Sequence, residues 1–172
     1  MQRTYTICYC SLMVTLAVVF QSAPVLLPVA GLAISPLATL PIALAAIQSK
    51  PYGVVSWLAA AFILFIIFPQ ESAIFACSTG LLGLFLGMRY SKKIYISVIP
   101  ASFALFVGIL ALVYVFQINL FGDLTPQSLS LATALAFLAF SMLYACICAW
   151  ALRLAVAFLI KIKVLKPNRR AG

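Results

Sequence analysis

The chain has no histidine and only two acidic residues, Glu71 and Asp123, among 172 positions. Histidine is the side chain that titrates near neutral pH and the commonest metal ligand, so its absence removes His-based acid–base catalysis and His-ligated metals. Two carboxylates far apart in sequence leave little for paired acid–base work. Charged residues of both signs amount to 8%, about a third of the share in soluble domains. So few charges cannot cover a globular surface. Cysteine is present but unhelpful for chemistry: Cys8, Cys10, Cys77, Cys146 and Cys148. The two C-x-C pairs fall on helical stretches, where positions i and i+2 point about 200° apart and cannot chelate one metal. Cysteines scattered through apolar runs give no disulfide framework and read as small buried hydrophobes; palmitoylation of Cys8 or Cys10 is the alternative. No catalytic residue, metal site or cofactor is assigned, and no enzyme activity is expected.

What the chain has in abundance is apolar surface. Hydrophobic residues make up 66% and the mean hydropathy is +1.23. This is the composition of an integral membrane protein, of a length suited to one bundle. The net charge of +9 does not indicate nucleic acid, because Lys and Arg occur in short clusters between apolar runs rather than on a polar module.

Residues 5–47 form an almost unbroken apolar run that would be about 64 Å long as one helix, twice a hydrocarbon core of about 30 Å. The chain must turn inside it, and Gln21-Ser22-Ala23-Pro24 is its one polar, helix-breaking interruption. The fold class is therefore all-α, an integral membrane bundle of six spans at about 5–20, 25–47, 54–68, 73–88, 94–116 and 129–150. Residues 151–165 continue as an interfacial helix, and 166–172 form a basic tail. Arg3, a short apolar stretch and "FQSAP" resemble a signal peptide, but the pattern before the cut is poor and an uncleaved first span is expected. The stretch 54–88 reads as two short crossings in preference to a re-entrant hairpin.

Charge placement tests this count independently. With the N-terminus inside, the inner segments hold Arg3, Lys50, Arg89, Lys92, Lys93, Lys161, Lys163, Lys166, Arg169 and Arg170, and the outer segments hold Glu71 and Asp123. Arg153, inside the last apolar run, reaches the inner headgroups if Trp150 is the interfacial anchor. Trp57, Tyr5, Tyr9, Tyr52, Tyr90 and Tyr95 fall near the same boundary. Both termini are thus expected in the cytoplasm, in the plasma or inner membrane of a bacterium.

Three features stand out within the spans. The second, "LLPVAGLAISPLATLPIALAA" (26–46), carries Pro28, Pro36 and Pro41, each of which removes a helical hydrogen bond. Broken helices are tolerated in membranes where neighbours re-satisfy them or where they line a cavity, so this span is expected to be kinked or interrupted. The fourth, "SAIFACSTGLLGLFLGMRY" (72–90), places Ala73, Ala76, Gly80, Gly83 and Gly87 at spacings that put all five on one helical face. Such a stripe lets another helix approach closely, as bundle packing or as a subunit contact; Phe75, Leu82 and Phe85 are expected to point away from it. Ser11 and Thr15 are a fainter analogue on the first span. The outer loops collect the polar residues Gln21, Gln70, Glu71, Gln117, Asn119, Asp123 and Gln127, with Tyr114 beneath. They read as a rim of ordinary turns, or as the mouth of a solute site in which Gln70, Glu71, Tyr114, Asn119 and Asp123 bind a cationic or hydrogen-bond-donating solute.

Six spans with a proline- and glycine-rich early helix and both ends inside are similar to the substrate-binding S subunits of energy-coupling-factor transporters. The stretch from "LLPVAGLAISPLATLPIALAAIQSKPYGVV" to "GLLGLFLGMRYSKK" (26–93) resembles the YybS-like membrane proteins, grouped near them. That resemblance implies a solute-binding transport subunit that works with a transmembrane coupling subunit and ATPases. The alanine-rich AxxxA usual on the first S-subunit span is replaced here by Ser11 and Thr15, and the chain is shorter than the YybS-like proteins. The alternative resemblance is to MreD-like morphogenesis proteins, which implies a membrane scaffold without a solute. The acidic residue such proteins tend to carry in the early spans is missing.

Overall fold

The computed structural model describes residues 2–91, 93–117 and 131–161. Among them every regular element is helical: α1 (Gln2–Leu26), α2 (Pro28–Ile34), a 3-10 turn (Ser35–Ala38), α3 (Thr39–Gln48), α4 (Lys50–Ile67), α5 (Pro69–Cys77), α6 (Thr79–Met88), α7 (Ile94–Leu110) continuing into a π turn (Ala111–Val115), and α8 (Leu131–Lys161). They make six helical stretches long and apolar enough to cross a membrane: Thr4–Leu26, Val29–Gln48, Lys50–Ile67, Pro69–Met88, Ile94–Val115 and Leu131–Lys161. The chain is a multi-pass membrane protein. The third stretch, at about 27 Å, and the fourth each have the length of a crossing.

Five prolines fall where helices tolerate them, while Pro24 and Pro100 lie inside α1 and α7. Pro28 opens α2, Pro36 sits at the start of the 3-10 turn, Pro41 is the third residue of α3, Pro51 the second of α4 and Pro69 the first of α5. In a first turn the backbone N–H has no intrahelical acceptor, so proline costs little there. The 3-10 turn is closed locally. Thr39 sends both its backbone N–H and its hydroxyl to the Pro36 carbonyl.

Segment α3 is the centre of the bundle. Thr39 and the whole run from Pro41 to Ala46 are buried, which requires neighbours on every side. It packs against α1, α4, α6 and α8. A helix apolar all round belongs in such a position, and its small residues allow close approach. A Cβ on Gly53 of α4 would lie 2.6 Å from the Ala46 Cα, so the one-residue Ser49 connection folds α4 tightly back on α3. The core on one side of α3 is built from α1, α6, α7 and α8, with Leu82, Leu86, Ala101, Leu105, Ala145 and Leu152 almost wholly buried. The other side is built from α1, α4, α5 and α6, with Ala17, Ala60, Leu64 and Phe75 at 0% exposure. The faces left outside, such as Val55, Leu58, Phe62 and Ile66 of α4, are apolar and suited to lipid.

Several expectations change. Gln21-Ser22-Ala23-Pro24 is not a turn: α1 runs through it to Leu26, and the chain reverses at Leu27 (φ −135°, ψ 82°). The polar residues that suggested a turn are satisfied inside the protein instead; Ser22 Oγ donates to the Val18 carbonyl at 2.8 Å, and Gln21 is accounted for below. Pro24 forfeits only one hydrogen bond, and its flank is occupied by Gly31. A Cβ there would lie 2.2 Å from the Ala23 carbonyl oxygen.

The fourth stretch is not one helix. It breaks at Ser78 (φ −120°, ψ −91°), whose Oγ donates to the Ile74 carbonyl at 2.5 Å. The last helix, α8, continues unbroken to Lys161 with Leu152 and Val156 still buried, and at about 46 Å it exceeds one core. The basic tail lies outside the described residues. Tyr5, Tyr90 and Tyr95 are exposed, as a belt requires, but Tyr9 is buried at 8% exposure with its hydroxyl unpaired.

Candidate functional site

The glycine stripe of the fourth stretch is resolved by the Ser78 break. Gly83 and Gly87 lie on α6 directly against the backbone of α3: an added Cβ would meet the Thr39 carbonyl oxygen at 2.4 Å and the Ala43 carbonyl oxygen at 2.3 Å. Gly80 faces α4 instead, with the Trp57 ring 2.8 Å from its Cβ position. Ala73 and Ala76 belong to α5 and are only half-buried. The stripe is therefore an internal seam between α6 and α3, not one continuous face. Phe75 and Leu82, expected to point away, are fully buried; Phe85 is partly buried against the core. The break itself is pressed onto α7, where a Cβ on Gly108 would fall 1.7 Å from the Cys77 carbonyl oxygen.

Beside this break lies the bundle's one described carboxylate. Glu71 sits in the first turn of α5, where helical N–H groups favour negative charge. Gln21 of α1, at 0% exposure, faces the broken stretch. Its Nε2 donates to Glu71 Oε2 at 2.9 Å, and its Oε1 accepts from Thr79 Oγ1 at 2.8 Å. The amide has this orientation because an ionised carboxylate only accepts, while a hydroxyl can donate. Ser72 adds a donor to the Ala61 carbonyl of α4 at 2.8 Å. A carboxylate, an amide and a hydroxyl are thus chained from the start of α5 to the start of α6. Such a chain offers charge and acceptor capacity to a cation or a hydrogen-bond donor.

Of the residues expected at a solute mouth, Glu71 is in this chain and Gln70 is exposed next to it. Tyr114 lies in the π turn, which packs against α5, and its hydroxyl is buried without a partner. Asn119 and Asp123, with Gln127, lie outside the described residues. Sequence reasoning counted Gln21 as rim and did not single out Thr79. A glutamine inside an apolar run was a legible signal for the first. Nothing distinguished the second from any small polar residue.

At the opposite end of the bundle, Arg153 Nη2 donates to the Ser91 carbonyl at 3.0 Å and Ser97 Oγ to the Arg89 carbonyl. Among the described residues no three His, Cys, Asp or Glu side chains are grouped to hold a metal. The chain matches no protein family, no characterised protein and no solved structure.

Proposed function

We propose that this chain binds a small cationic or hydrogen-bond-donating solute at the Glu71 end of the bundle, as the solute-binding subunit of a membrane transporter. The observation that carries this reading is the wholly buried Gln21 amide strung between Glu71 and Thr79. Polar and ionisable groups within membrane spans are costly and concentrate where solutes or ions are handled. Three spans carry irregular backbone, the second at its 3-10 turn, the fourth at Ser78 and the fifth at its π turn, and the Ser78 break adjoins this polar chain. Discontinuous helices around a polar centre are the architecture from which transporters build binding sites. In this reading the second span is an interrupted helix, both termini are cytoplasmic, the Glu71 end faces outward, and the membrane is a bacterial inner or plasma membrane. The partners are a transmembrane coupling subunit and ATPases. The chain performs no catalysis.

One observation favours a second reading, a non-transporting scaffold of the cell envelope: backbones touch at Gly83, Gly87 and Gly108, as in a body built to stay closed. A thermal-shift screen of the detergent-purified protein with amines, vitamins, nucleobases and alkali cations separates the two. The transport reading expects at least one compound to raise the Tm of the wild type and not that of Glu71→Gln. A flat response across the panel favours the scaffold.

A further inference from the structure

At the end of the bundle away from Glu71, α6, α7 and α8 enclose a notch of about 10 Å³, the room of roughly one water. Its apolar lining comes from Leu86, Ile94, Ala149 and Leu152. Its polar lining comes from Tyr90, Ser91, Ser97 and Arg153. Arg153 is the one basic residue embedded in a long apolar run, and the fold carries it to the α6–α7 turn. The hydrogen bond to the Ser91 carbonyl fixes the guanidinium over the notch. Arg89 and Lys93, both exposed, are sequence neighbours of its lining residues Tyr90 and Ile94. No acid stands among the described residues at this end, since Glu71 is at the other. Tyr90 in the turn and Tyr95 at the start of α7 are exposed at 37% and 53%, and tyrosine favours the headgroup level.

We propose that the surface over this notch is a headgroup site for an anionic phospholipid, whose phosphate is held outside the notch by Arg153 with Arg89 and Lys93. Orientation by positive loops explains basic residues on this side of a membrane, but it requires no guanidinium fixed over a cleft between three helices. Guanidinium is suited to phosphate because its planar fork matches two phosphate oxygens. Basic pockets between spans on the cytoplasmic side are where acidic headgroups bind.

Native mass spectrometry of the detergent-purified full chain, titrated with phosphatidylglycerol or with phosphatidylcholine, tests this. The expected result is a one-lipid adduct that favours phosphatidylglycerol. Removing one cation from the site by Arg153→Gln should weaken it by about fivefold. Lys93→Gln, at an exposed position that cannot unfold the bundle, should weaken it in the same direction. Lys161→Gln, further along α8, should leave it unchanged. Equal adducts with both lipids, or equal binding by wild type, Arg153→Gln and Lys93→Gln, would overturn the proposal. So would inorganic phosphate displacing the lipid at low concentration, because the site would then be one for a free anion.

Discussion

Gln21 of α1 and Glu71 of α5 are 50 positions apart in sequence and meet at 2.9 Å, amide nitrogen to carboxylate oxygen. The contact ties the first and fourth spans together. Gln21→Leu keeps the approximate volume but leaves the Glu71 carboxylate and the Thr79 hydroxyl without their partner. An unsatisfied buried group costs about 1–3 kcal/mol, so the Tm in detergent should fall. In a double-mutant cycle with Glu71→Leu the two losses should not add, with a coupling of about 0.5–3 kcal/mol. Strict additivity would mean that the hydrogen bond contributes nothing to the fold.

Two of the close glycine contacts with backbone, at Gly108 and Gly83, should rank by clearance. A methyl group at Gly108 would fall 1.7 Å from the Cys77 carbonyl oxygen, and one at Gly83 would fall 2.4 Å from that of Thr39. Gly83→Ala should lower stability by about 1–3 kcal/mol through overpacking, and Gly108→Ala by more. Gly83→Leu should be worse still, whereas Phe85→Leu, at a partly buried position, should be mild. Thermal unfolding of the four variants gives the order directly, and a tolerated Gly108→Ala would contradict the α5–α7 contact.

Two threonines bond to carbonyls of their own helical stretch, and their surroundings set different outcomes. Thr39 is buried and bonds to the Pro36 carbonyl in the 3-10 turn. Thr15 is exposed and bonds to the Ser11 carbonyl at 3.1 Å. Replacing each by the isosteric valine should cost about 1 kcal/mol at Thr39 and be close to silent at Thr15. Chemical or thermal denaturation in one detergent compares the pair.

Orientation in the membrane is open to a direct measurement. A reporter that works only in the cytoplasm, fused after residue 172, should be active, and the same reporter inserted beside Asp123 should be silent. Activity at Asp123 would reverse or reject the proposed orientation, with the bundle itself unaffected.

Much of the fold was legible in the sequence. The shortage of charge, the lengths of the apolar runs and the clustering of basic residues determine a six-span helical membrane protein, because hydrocarbon accepts only backbone that satisfies itself. The small residues of the fourth span likewise announced a close helix contact. What the sequence could not decide was which polar groups would find partners inside. Gln21 and Ser22 read as a water-seeking turn because their acceptors and donors, Glu71, Thr79 and the Val18 carbonyl, are supplied by folding. The Ser78 break has no proline to mark it, so a pattern of small residues spanning it looked like one face. Arg153 read as a headgroup anchor from its position alone, while its contact with Ser91 depends on how α8 lies against the α6–α7 turn. Local pattern fixes which segments are helical; the pairing of buried polar groups depends on which helices become neighbours, and only the tertiary structure decides that.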